Sequence, residues 1–401
     1  MSRPESRALR LAIAMTAGSA AVAALAAAAI AGVAVYVART VVVPPRTRVE
    51  DIRVVSANED RVTLARTADS QTPGRYSLWF HDDKGHARLG DIESMDATTV
   101  TRAIVGVDRG DISTATGARM AGWFYLAPEA VNLPFSHEVV DTELGPAPAW
   151  LFPVPDSARW VIAVHGRAVI RQEALRAVPA LVAAGFSTLV VSYRNDGEAP
   201  RSLDGRYALG DSEWRDVDAA IAFAMARGAR EVVLMGWSMG GATVLQAATR
   251  GEHRRVVTGI VLDSPVVDWL GVLEYHGTTM RIPTLVRLVA VEMISRRWGS
   301  RLTGQAHPID LGRLDFVARA AELDLPILLF HSNDDGYVPS NGSRALAASR
   351  PDIVTFEEFE VARHTKLWNY DPERWNRALS DWLGSLPIGQ KWHHPDRQAT
   401  G

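Results

Sequence analysis

A serine held between two glycines, Gly236-Trp237-Ser238-Met239-Gly240, is the pattern in this 401-residue chain with the plainest chemical use. A serine hydroxyl is a weak nucleophile until a base takes its proton, so the pattern calls for a histidine and for a carboxylate to orient that histidine. Both types lie further along the chain. The stretch His331-Ser332-Asn333-Asp334-Asp335-Gly336-Tyr337-Val338-Pro339 follows an apolar run and carries two adjacent acids, Asp334 and Asp335. His364 follows the run 355–361 in a polar stretch, and beyond it only His393 and His394 remain. With Ser238 as nucleophile, His364 as base and one of the two aspartates as acid, the chemistry is acyl transfer to water. That reaction also needs backbone N–H donors aimed at the developing oxyanion. Met239, the residue after the serine, supplies one. Arg167, in His165-Gly166-Arg167-Ala168, is expected to supply the other, with Gly166 allowing close backbone approach. His165 is read as hydrogen-bonding this loop into place, not as a proton carrier.

The surrounding elements must form a strand, a sharp turn and a helix for the serine to be presented. The apolar run 231–235 precedes the motif, and Gly241-Ala242-Thr243-Val244-Leu245-Gln246-Ala247-Ala248 follows it as a good helix. Gly236 and Gly240 let the two chains pass without Cβ clashes. Further apolar runs end at Val164, Ser192, Asp263, Phe330 and Glu357. They are continuous rather than alternating, as in strands buried on both faces. Helix-length segments such as 171–184 and 212–227 lie between them. The alternation predicts a doubly wound, mostly parallel α/β sheet over residues 136–387. The gap 268–320 is too long for one crossover and has a helical stretch around 283–297, which predicts a helical lid insertion.

Residues 46–135 differ. Short β-like runs at 61–65, 76–80 and 98–107, broken by Asp82-Asp83-Lys84-Gly85, predict a small β-rich module with no nameable chemistry. From Leu11 to Ala38 no residue is charged. A stretch of this length suits a single membrane-spanning helix after a short tail at 1–10, with a cleaved signal or a buried helix as alternatives. The flanking arginines, at 3, 7 and 10 before it and 39, 46 and 48 after it, are nearly balanced. A short tail ahead of a large domain favours a catalytic domain outside the cytoplasm. Residues 388–401 read as a polar tail.

Formal net charge is −3, hydrophobic residues make up 47% and charged residues 22%, a globular balance. No basic stripe with interleaved aromatics is present, so a nucleic-acid partner is not expected. The absence of cysteine excludes disulfides, thiolate-held zinc and a thiol nucleophile. The chemistry calls for no metal and no cofactor. Oligomeric state is not legible.

Residues 136–385 resemble the α/β-hydrolase superfamily, and within it the dipeptidyl-aminopeptidase/acylaminoacyl-peptidase-like and membrane-anchored esterase-like hydrolases of bacteria. The likeness rests on His165-Gly166, on Ser192-Tyr193-Arg194-Asn195, on the motif 236–240, and on the loop from Asp335 to Val338-Pro339. In that family a His-Gly pair stands four residues before the acid. Aligning His331 with that histidine implies Asp335, with Ser332 departing from the family's glycine. The stretch from Asp204 to Gly210 and on to Trp214-Arg215-Asp216-Val217 is also similar, with no role assigned. The resemblance does not reach residues 1–135. It implies a serine hydrolase acting on a carboxylic ester, with a small-molecule or lipid-like acyl substrate. A peptidase or acyltransferase on the same fold, or a non-catalytic scaffold, is the alternative.

Overall fold

The structure is a computed structural model and describes residues 4–45 and 48–387. The chain divides into two compact units, one of residues 44–272 with the chain from 310, the other of the N-terminal helix with residues 273–309. The expected polar tail at 388–401 lies outside the described residues.

The helix α1 runs from Pro4 to Val42, so it takes in most of the stretch read as a tail and continues past the apolar run. Its segment Ala23–Val42 is long and apolar enough to cross a membrane. The larger unit begins with six strands: β1 (Ile52–Ala57), β2 (Arg61–Ala65), β3 (Tyr76–Phe80), β4 (Gly85–Met95), β5 (Thr99–Arg109) and β6 (Gly117–Ala121). They close into a barrel in the order β1-β2-β5-β4-β3-β6. Alternate residues face inward, so Ile52, Val54, Val62, Leu64, Leu78 and Leu89 make its core.

The second part of that unit is an eight-stranded sheet, ordered β14-β13-β12-β11-β9-β10-β8-β7. Its strands are β7 (Ser136–Thr142), β8 (Gly145–Phe152), β9 (Arg159–Val164), β10 (Ser187–Val191), β11 (Glu231–Trp237), β12 (Val257–Asp263), β13 (Ile327–Ser332) and β14 (Val354–Phe359). The pairs from β10 to β14 are parallel, and β8 runs antiparallel to both β10 and β7. The six apolar runs read from sequence are the six parallel strands. The hairpin β7–β8 is the addition.

Helices α2 (Val178–Ala183), α3 (Trp214–Ala226), α4 (Met239–Arg250), α5 (Trp269–Thr279), α6 (Thr284–Ser295), α7 (Arg297–Thr303), α8 (Asn341–Ser349), α9 (Leu367–Tyr370) and α10 (Pro372–Ser385) complete the chain. The helix expected over 171–184 is divided: residues 171–177 form a 3-10 helix and only 178–183 are α-helical. Pro179 accounts for the break, because it has no N–H to bond back into a preceding α-turn but fits the first turn of a new helix.

In the smaller unit, α6 and α7 pack on α1. Ala34, Ala38 and Val42 recur every four residues on α1 and are fully buried there. The matching buried face of α6 is Val286, Ala290, Met293 and Ile294. Residues 268–320, where a helical lid insertion is expected, hold α5, α6 and α7.

Candidate active site

The strand β11 stops at Trp237 and α4 starts at Met239, which leaves Ser238 alone to reverse the chain. Its backbone sits at φ 52°, ψ −117°, a conformation that non-glycine residues avoid. The turn is possible because its flanks are glycines. A Cβ on Gly240 would lie 2.3 Å from the carbonyl oxygen of Val164, and one on Gly236 would lie 2.4 Å from that of Gly240.

Three residues far apart in sequence meet at this turn. The Ser238 hydroxyl donates to His364 Nε2 at 3.0 Å. His364 Nδ1 donates to Asp335 Oδ2 at 2.7 Å. Asp335 follows β13 and is buried, with its other oxygen accepting from the N–H groups of Tyr337 and Val338, each at 2.8 Å. Burial alone would raise the pKa of Asp335. The charge of His364 and the hydrogen bonds from His331 and His364 outweigh it and hold the carboxyl well below its usual range. Asp334 points elsewhere and pairs with Arg363 at 3.4 Å.

His331 is a residue whose part was missed from sequence. Its Nε2 faces two acceptors, Val338 O at 2.9 Å and Asp335 Oδ2 at 3.2 Å, so Nε2 carries the proton. Its Nδ1 accepts from the Ser343 hydroxyl at 2.7 Å. The family spacing that located Asp335 thus has a physical basis, since the histidine four residues earlier orients the acid.

Of the two expected oxyanion donors, Arg167 lies in the loop after β9 and Met239 at the start of α4. Met239 is the first residue of α4, so its N–H has no acceptor within the helix. Gly166 lies against the serine, where an added Cβ would be 3.2 Å from Ser238 Cβ. Arg167 follows it, with its guanidinium 5.4 Å from the Tyr207 ring centre. Gly166 N donates to the buried carboxylate of Glu173 at 2.8 Å, and Gly166 O accepts from Tyr193 OH at 2.8 Å. His165 is buried, stacked on Tyr193 at 4.2 Å, and within hydrogen-bond distance of Gly166 O and Asp196. This is the orienting use expected for it. The stretch 204–217, which carried no role, now has one. Tyr207 OH accepts from Ala168 N at 3.3 Å, and Asp216 accepts from both Nε and Nη2 of Arg194. Both contacts brace loops at this end of the sheet.

Behind the site, Ser264 links the end of β12 to the loop of His364. Its hydroxyl donates to Asp263 Oδ1 at 3.0 Å and accepts from Thr365 N at 3.0 Å. Burial raises the pKa of Asp263, partly offset by the nearby Arg176. Among the described residues, no group of three or more His, Asp or Glu side chains converges to hold a metal ion.

Comparison with known proteins agrees with this architecture. Residues 161–378, more than half of the chain, match the model of the alpha/beta hydrolase family, and the chain belongs to that family. Residues 52–121, the barrel, match a domain family of unknown function. No curated protein sequence matches. Among solved structures, an esterase of Pyrococcus furiosus is similar at a TM-score of 0.51 and 15% identity, covering 65% of this chain and 95% of the esterase. An esterase of a Rhodococcus species aligns at 0.44 and 19% identity, covering 63% of this chain and 100% of the other. A puromycin-hydrolyzing peptidase of Mycobacterium tuberculosis aligns at 0.48 and 19% identity, covering 83% of this chain and 53% of the peptidase. By the family match the chain is a hydrolase of the α/β fold.

Proposed function

We propose that the chain is a serine hydrolase that cleaves a carboxylic ester through an acyl-enzyme. The observation that carries this reading is the unbroken hydrogen-bonded series from Ser238 Oγ through His364 to Asp335 on a strained turn. In the first half-reaction Oγ attacks the ester carbonyl while its proton passes to His364 Nε2. The N–H groups of Met239 and Arg167 hold the oxyanion, and Asp335 stabilises the imidazolium. Collapse breaks the C–O bond, and the leaving alcohol takes the proton from His364. Water then repeats the sequence on the acyl-enzyme, releasing the acid and restoring Ser238.

The ester as acyl donor is in keeping with the Pyrococcus furiosus esterase of like fold. The test is a panel of p-nitrophenyl esters of rising chain length beside aminoacyl anilides. Ester cleavage without anilide cleavage is expected, and the reverse overturns the substrate class.

We read α1 as a single-pass anchor that leaves the hydrolase outside the cytoplasm and near lipid-like esters. Its length and apolar composition over Ala23–Val42 support this. Retention in the membrane pellet after an alkaline carbonate wash, with release by detergent, is the expected behaviour. Recovery in the soluble fraction contradicts it.

A further inference from the structure

We propose that the N-terminal barrel positions the base of the site, and that Asp69 is the residue through which it does so. This rests on the reading of His364 as general base.

Asp69 lies in the connection between β2 and β3. Its Oδ1 is 3.0 Å from Lys366 Nζ and 3.4 Å from Arg363 Nε. Those cations stand on either side of His364, so one carboxylate from the barrel grips both arms of the histidine's loop. Arg363 also meets Asp334, which ties the loops of the base and the acid to the same barrel residue. A second clasp lies just beyond. Arg75 N donates to Asn369 O at 2.8 Å, and Asn369 Nδ2 donates to Arg75 O at 2.7 Å and to Gly122 O at 3.1 Å. Asn369 is fully buried, and its Oδ1 accepts from Arg176 at 2.9 Å.

The connection that carries Asp69 is itself pinned. Arg102 is fully buried in the barrel and donates to the carbonyls of Ser70 at 3.0 Å, Thr72 at 2.8 Å, Gly74 at 2.5 Å and Gly90 at 2.9 Å. Three of those carbonyls belong to the segment right after Asp69. Burying a charge is costly, and an apolar residue would fill a barrel core at less cost. What the guanidinium adds is a fixed loop.

The histidine's loop needs such a hold. Arg363 at φ 62° and Thr365 at φ 49° flank His364 in the left-handed region, which is strained for a β-branched threonine. Relaxation there would carry the imidazole away from Ser238. Partly exposed ion pairs add little to stability. Their use here is geometric, since small displacements of a base have large effects on rate. Asp69 is therefore a positioning residue, and the barrel has a task in the reaction that its lack of nameable chemistry concealed.

The test uses the full chain with Asp69→Asn, Asp69→Glu and, as a remote barrel control, Glu59→Gln. The readouts are kcat and KM on a p-nitrophenyl ester, the rate of fluorophosphonate labelling, and Tm. Asp69→Asn should lower kcat and the labelling rate about tenfold, with KM changed by less than about twofold. Its Tm should stay within about 2 °C of wild type. Asp69→Glu should recover most of the loss, and Glu59→Gln should match wild type. Wild-type kcat in Asp69→Asn overturns the proposal. So does a loss that follows KM or Tm, or one that Asp69→Glu does not repair. A wild-type chain that neither hydrolyses esters nor takes the label overturns the hydrolase reading, and this proposal with it.

Discussion

The loops that carry Asp335 and His364 are built in opposite ways. The Asp335 carboxylate is held from close by. His331, Tyr337 and Val338, all within four residues of Asp335, supply its hydrogen bonds apart from the one to His364. The His364 loop is held from elsewhere: by Asp69 between β2 and β3, by Ser264 after β12, and by Asp334. It also carries the strain, with two non-glycine residues at positive φ. Bonds from within four residues fix the Asp335 carboxylate close to home. A loop braced from three directions places its imidazole only when the whole unit is assembled, and small changes in distant residues then reach the chemistry.

That contrast can be broken at several points. The largest effect is expected at the acid itself. Asp335→Asn should lower kcat by about four orders of magnitude through loss of the imidazole's orientation and of its countercharge, with the fold intact by circular dichroism. His331→Leu removes the local donor that aims Asp335, and should cost about ten- to a hundredfold in kcat, as expected for a residue orienting a functional ligand. An unchanged kcat there means the acid's loop does not depend on its own short-range bonds.

On the other side, Ser264→Ala cuts the link between Asp263 and Thr365 N. It should lower kcat several-fold and destabilise the chain by about 1 kcal/mol, read from urea unfolding. Stability should also fall with acid. Asp335 binds its proton less readily when folded than when unfolded, so its contribution is fully present above the unfolded pKa of about 4 and is lost as pH falls below it. In Asp335→Asn that part of the acid dependence should vanish, as followed by the urea midpoint between neutral pH and acid. Smallest of all, Asp334→Asn should change kcat by less than about threefold, because Asp334 meets Arg363 and not His364. A loss as deep as that of Asp335→Asn would exchange the two roles.

The same division governs how much was legible in the sequence. The six parallel strands announced themselves as apolar runs, since burial on both faces leaves a continuous signal. The serine's turn was legible because its glycines are needed where backbones approach within a Cβ's reach. Asp335 emerged once His331 was aligned with a family histidine, because the spacing is local. What escaped was long-range. The strand β4 carries His86, Arg88, Asp91 and Glu93 and gives no clean alternation. Closure of the barrel depends on β1 meeting β6 at Ile52–Ala118 and Arg53–Gly117, far apart in sequence. The buried Glu173–Arg176–Asn369 chain joins the loop after β9 to α9, which follows the His364 loop, through residues that look like ordinary helix surface in sequence. Asp69 carries no motif, and its partners lie almost three hundred residues away.

The central claim is that Ser238 is a nucleophile activated by His364. The direct measurement is labelling of the full chain with a fluorophosphonate, with the modified peptide mapped by mass spectrometry. Stoichiometric labelling on Ser238 is expected, absent in Ser238→Ala and slowed by orders of magnitude in His364→Ala. No labelling of the wild-type chain, or equal labelling of Ser238→Ala, contradicts it.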